Sequence, residues 1–203
     1  MTPPPVRRDI ARDLVDRANA SMQYRSRLVR GLLTSEEEEM GALQERANAV
    51  VLRRLLHQHG WPGHTLVGEA GATAAWRLAL HAEREPDLQH MALRMLTTAT
   101  EHREATIQQW AHLHDRCNVT AGHPQLYGTQ HRFRADGSLE LLPVSSPDTL
   151  DVRRRSVGLP PVTEVHDALR LRYAPRHDGD QAEPDPPVGH RMAARADLVG
   201  ASA

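Results

Sequence analysis

The stretch Gln125-Leu126-Tyr127-Gly128-Thr129-Gln130 divides the chain into two textures. It packs two amides, a phenol and a hydroxyl around one glycine, at a point where the backbone can bend. Upstream, apolar residues recur at helical spacing. Downstream, the pattern alternates around Ala135-Asp136-Gly137, a hairpin-turn signal. The spacing predicts strands over residues 125–134 and 138–144. The fold class is therefore mainly α, a compact helical domain with one β-hairpin after the fifth helix.

Working back from that stretch, Ile107, Trp110 and Ala111 belong to a fifth helix ending near Arg116. Pro86 suits the first turn of a fourth helix, with Leu88, Ala92, Met95 and Ala99 facing inward. A third helix is expected from about Gly68 to Arg84, burying Ala74, Leu78 and His81, after a turn at Trp61-Pro62-Gly63. The second carries the stripe Met40, Leu43, Ala47, Val50 and Leu55 and stops at Gly60. Thr34 or Ser35 can cap it, and Glu38 stands at capping-box distance from Ser35. The carboxylates Glu36 to Glu39 suit the positive end of its dipole. The first helix follows Val6, Ile10, Leu14, Ala18 and Met22, then Val29 and Leu33.

Beyond the hairpin, Ser146-Pro147-Asp148 opens a helix through Leu150, Arg154 and Val157, which closes at Gly158-Leu159-Pro160-Pro161. A last helix is expected from Thr163 to about Arg172. The tail is rich in Pro, Asp, Gly and Ala and has too little apolar surface to offset its ordering entropy. The domain plan is an extended lead over residues 1–5, a single domain over 6–173 and a disordered tail over 174–203.

Composition narrows the function classes. Hydrophobic residues make up 39% and aromatic residues only 3%, so the core must come from Leu, Val, Ala and Met. A formal net charge of −1 gives no field that points to nucleic acid or a membrane surface. All 25 basic residues are Arg, which removes Schiff-base lysine chemistry. The single Cys117 cannot form an intrachain disulfide and reads as a small apolar residue. No signal segment opens the chain, and no apolar run approaches the roughly 20 residues that span a bilayer. A cytoplasmic location is expected. No phosphate-loop, dinucleotide or nucleophile-elbow motif occurs, so no cofactor is expected.

The remaining candidates are polar groups that are hard to justify separately. His81 shares a helical face with Ala74 and Leu78. It is either a general base or a core histidine tied to a carbonyl or carboxylate. Asp115 sits at the unfavourable end of its helix dipole and so calls for a specific partner, either His81 or an arginine. Arg116 beside it could hold an anion. Gln125, Tyr127, Thr129 and Gln130 suit either contact with a ligand or a hydrogen-bonded corner that locks hairpin to helices. Within Arg153-Arg154-Arg155, Arg153 is the candidate anion contact. His112 and His114, two apart on a helix, point away from each other, so no metal site is expected there.

These residues carry a resemblance. Gly60-Trp61-Pro62, Val67-Gly68, Ala74-Ala75-Trp76, His81-Ala82, Gln89, Asp115-Arg116, Gln125-x-Tyr127-Gly128-Thr129-Gln130 and Arg153-Arg154-x-x-x-Gly158-Leu159 resemble an uncharacterised bacterial family of unknown function. Its members carry G-W-P, Q-H-A, D-R and Q-x-Y-G-T-Q motifs in this order. The resemblance runs from about Asn48 to Leu159. The chain departs from it at Leu80, where the family has Gln, and at His112 and His114. The family supplies no activity, but it implies that His81, Asp115, Arg116, Gln125, Tyr127, Thr129 and Gln130 form one constellation. Two function classes follow. One is a small-molecule-binding protein, in its enzymatic form using His81 and Asp115 as an acid–base pair on a small polar or anionic substrate. The other is an interaction protein of immunity or accessory type, with the polar cluster as a structural lock.

Overall fold

The computed structural model describes residues 6–134, 138–173 and 198–199. The expected lead, the Ala135-Asp136-Gly137 turn and most of the expected tail lie outside the described residues. Seven α-helices are seen among the described residues: α1 (Arg8–Val29), α2 (Ser35–His59), α3 (His64–His81), α4 (Pro86–Glu101), α5 (Ile107–Thr120), α6 (Leu150–Ser156) and α7 (Val162–Tyr173). Between α5 and α6 lie β1 (His131–Phe133) and β2 (Leu139–Leu141), an antiparallel pair with Arg132 opposite Glu140. A two-residue β3 (Leu198–Val199) runs parallel to β1, giving the order β2-β1-β3.

α3 is the axis of the fold. Every residue from Gly71 to Leu80 is buried, because helices pack on it from several sides. Small residues allow this close approach. A Cβ on Gly71 would stand 2.7 Å from the Val67 Cβ and 3.3 Å from the Ala11 Cα of α1. The helix begins at His64, earlier than the apolar period suggests. It is interrupted at Gly68, whose φ of 70° and ψ of 172° suit glycine alone. Ile10, Leu14, Ala18 and Ser21 turn α1 toward this axis, and Leu88, Ala92, Leu96 and Ala99 do the same for α4. Trp76 is buried in the centre and donates its indole N–H to the Gln109 carbonyl at 2.9 Å.

Three expectations are corrected. The α2 capping box uses Thr34 with Glu37, not Ser35 with Glu38. Glu37 N–H donates to Thr34 Oγ1 at 3.2 Å, and Thr34 N–H to Glu37 Oε2 at 2.8 Å. Most of the α2 stripe points the wrong way for a core. Met40, Leu43 and Val50 are 62%, 54% and 62% exposed, and of the expected stripe Leu55 is buried, together with Asn48, Ala49, Leu52 and Leu56. Two apolar stripes compete on this helix, and contact with α3 selects the second. Residues 125–130 are a loop rather than a strand, with a single bridge from Gln125 to Val144. Regular pairing begins only at His131 because a side chain on α5 takes up the loop's N–H groups.

Candidate functional site

That side chain is Asp115. It is fully buried near the end of α5. Oδ1 accepts the N–H of Leu126 at 2.7 Å and of Tyr127 at 3.0 Å. Oδ2 accepts from Tyr127 N–H at 3.0 Å, Thr129 N–H at 3.1 Å and the Thr129 hydroxyl at 3.1 Å. The loop wraps around a carboxylate as a nest of donors does around an anion. Gly128, at φ 63°, makes the reversal without strain. The loop's carbonyls are met from the other side by arginines. Arg154, 2% exposed, donates to the Tyr127 and Gly128 carbonyls at 2.6 and 3.1 Å and to the Pro160 carbonyl at 2.6 Å. Arg153 donates to the Leu126 carbonyl at 2.8 Å and to the Ser146 carbonyl.

Gln125 and Gln130 close the corner. Gln125 donates to the carbonyls of Gln130 and Leu142 at 2.9 and 2.8 Å and accepts the Gln130 N–H at 2.8 Å. Gln130 donates to Thr129 Oγ1 at 2.8 Å. The Tyr127 ring packs edge-on against Trp110 and His114, and burial raises its phenol pKa. Asp115, Gln125, Tyr127, Thr129, Gln130 and Arg153 thus converge on one loop.

His81 and Arg116 belong to a second group. His81 ends α3, where Gln89 donates to the Ala79 and Leu80 carbonyls at 3.1 and 3.0 Å and so caps the last turn. Ser21 Oγ lies 3.0 Å from His81 Nδ1. Arg116, 1% exposed, donates to Glu83 at 3.2 Å, as does Arg25 from α1. Among the described residues, His81 and Asp115 share no hydrogen bond; the chain neighbours Asp115 and Arg116 point into different groups. His112 and His114 are packed against Trp76 and Trp110, at ring distances of 5.7 and 5.0 Å.

Beside the second group lies a cavity of about 420 Å³ between α1, α2 and the turn after α3. His81, Tyr24, Arg25, Glu45, Glu83 and Arg84 are among its lining residues. Burial, then the positive charges of Arg25, Arg116 and Arg77, hold His81 well below the ordinary imidazole value of 6.5. Burial raises the carboxyl pKa of Glu45, which the Ser21 hydroxyl partly offsets. Glu45 Oε1 is buried with no hydrogen-bond partner among the described residues. Cys117 is packed in the core and pushed up to about 11 by burial, so its thiol stays protonated.

Sequence reading missed Ser21, Arg25, Glu45, Glu83 and the role of Arg154. Ser21 had a usable signal, since it stands seven after Leu14 and three after Ala18 on the inward face of α1. Glu45 and Arg25 had none, because charged residues on a helix read as solvated until a neighbouring helix covers them.

The His81 environment has a measurable consequence. Above pH 6.5 the imidazole is neutral in both folded and unfolded chains. Below it the unfolded chain takes up a proton that the folded chain refuses. Stability therefore falls as pH falls, by about 1.4 kcal/mol per pH unit, until the folded imidazole itself titrates. Urea unfolding on both sides of that pH checks this. His81→Gln should remove this part of the acid slope; an unchanged slope would refute the assignment.

Fold and site define a small helical protein in which one loop is clamped around a buried carboxylate, with a separate cavity at the end of the central helix. The chain belongs to a family of unknown function, DUF6624, matched over residues 29–175. Neither a curated protein nor a solved structure matches it. No helix among the described residues is long and apolar enough to cross a membrane.

Proposed function

We propose that the protein binds a small polar molecule in the cavity at the end of α3, and that His81 is the group that acts on it. The observation that carries this reading is the lining of the cavity by an imidazole whose Nδ1 is already engaged by Ser21. Nε2 is then the nitrogen left for a ligand. In the tautomer whose Nδ1–H donates to the Ser21 hydroxyl, Nε2 is the acceptor. A proton taken by Nε2 leaves an anion in the field of Arg25 and Arg116, which gives acid–base chemistry its electrostatic support.

In this reading Asp115 does not pair with His81. It holds the loop, and Arg116 beside it supplies charge near the cavity. Gln125, Thr129, Gln130 and Arg153 are then a structural lock, as the alternative reading has it, while the ligand is held elsewhere. Thermal-shift screening with small polar compounds tests the proposal, since a ligand that binds only the folded chain raises its melting temperature by mass action. A compound that stabilises the wild type should lose its shift in His81→Ala and keep it in Tyr127→Phe. A shift kept in His81→Ala and lost in Tyr127→Phe would move the site to the loop and overturn the proposal.

A further inference from the structure

The outward stripe on α2 is unusual in its spacing. Met40, Leu43, Ala47 and Val50 stand at intervals of three, four and three, the seam of a heptad repeat, and all four are exposed. A strict seam of this kind suits another helix better than water. The helix also has a charge polarity. Glu36, Glu37, Glu38 and Glu39 lie at its start, and Arg46, Arg53 and Arg54 lie in its later turns.

We propose that α2 pairs with α2 of a second copy of this chain, antiparallel about a two-fold axis between Leu43 and Ala47. In an antiparallel seam each layer joins residues whose positions along the helix mirror one another. Met40 then faces Val50 of the second copy, and Leu43 faces Ala47. The next layer outward places Glu36 against Arg54, and at the flank Glu39 comes beside Arg53, which also pairs with Glu85 of its own chain at 3.0 Å. Each pairing occurs twice by symmetry. A parallel pairing would set Glu36 beside Glu36 and Arg54 beside Arg54, so the charge polarity selects the antiparallel form. Arg46 faces its own copy near the axis, the one unfavourable pairing in the arrangement. The seam is short, so the expected dimer is weak, with association in the micromolar range.

Sedimentation of the full chain across a range of concentrations tests this. A monomer–dimer equilibrium is expected. Leu43→Glu should raise the dissociation constant by about 100-fold or more, because two leucines leave the seam together. Glu36→Arg should weaken the dimer, and adding Arg54→Glu should restore it, a rescue that misfolding could not produce. Met40→Cys with Val50→Cys should cross-link two chains on oxidation. Met40→Cys alone should not, since the two copies of residue 40 lie about 15 Å apart along the seam. The native Cys117 is buried and gives no background. A monomer at every concentration would overturn the proposal, as would a dimer insensitive to Leu43→Glu or a cross-link through Met40→Cys alone.

Discussion

Asp115→Ala is expected to cost about 3–5 kcal/mol of folding stability, the largest effect of any single polar substitution in this chain. The carboxylate accepts three backbone N–H groups and one hydroxyl within 3.1 Å, and none of these donors can turn to water without opening the loop. Alanine leaves all of them in a buried site. Asp115→Asn keeps the shape but presents an amide N–H₂ to groups that are themselves donors. It should cost about 2–3 kcal/mol, close to the alanine value rather than to zero. Urea unfolding measures both. A loss under about 1 kcal/mol for Asp115→Ala would show that the loop is held by other contacts.

Arg154→Met is expected to cost about 2–4 kcal/mol. Methionine replaces the apolar stem but not the donors to the carbonyls of Tyr127, Gly128 and Pro160. Burial already lowers the guanidinium pKa, so this charge is kept in place by its hydrogen bonds. Arg154→Lys should recover less than half of the loss, because one ammonium cannot reach the carbonyls on both sides of the site. The Tyr127 peptide gives its N–H to Asp115 while its carbonyl accepts from Arg154. The two substitutions should therefore be coupled. Once either clamp is gone, removing the other should cost less than it does in the wild type. Strict additivity in the double variant would mean that the two side chains do not clamp one loop.

The helical part of the fold was largely legible. Periods of three and four identified Ile10, Leu14 and Ala18 of α1 and Leu88, Ala92 and Ala99 of α4 as buried, because a helix packed on one side offers one face at a time, but not Ser21 or Leu96. α3 is buried all round from Gly71 to Leu80, so its period alone named only part of what it buries. Pro86 and Gly60 marked a start and a stop through backbone chemistry alone. The period failed on α2, where it has two solutions and the sequence holds no information on which one α3 covers. The Tyr127-Gly128-Thr129 stretch was legible as important and was misread as a strand. Alternation there is imposed by a carboxylate ten or more residues upstream, not by a partner strand.

The sequence by itself determined that this is a helical protein with one hairpin after the fifth helix, since helix period, caps and turn residues act over a few neighbours. It also marked Asp115 and Gln125 to Gln130 as a polar group in need of partners, because polar atoms at a helix end and beside a glycine cannot be buried unpaired. Only the tertiary structure decided who those partners are. It joined Asp115 to the loop and placed His81 beside Ser21 and a cavity. It turned Arg116 away from its chain neighbour toward Glu83. Neighbouring residues on a helix point about 100° apart, so what lies next to a residue in the chain says little about what lies next to it in space.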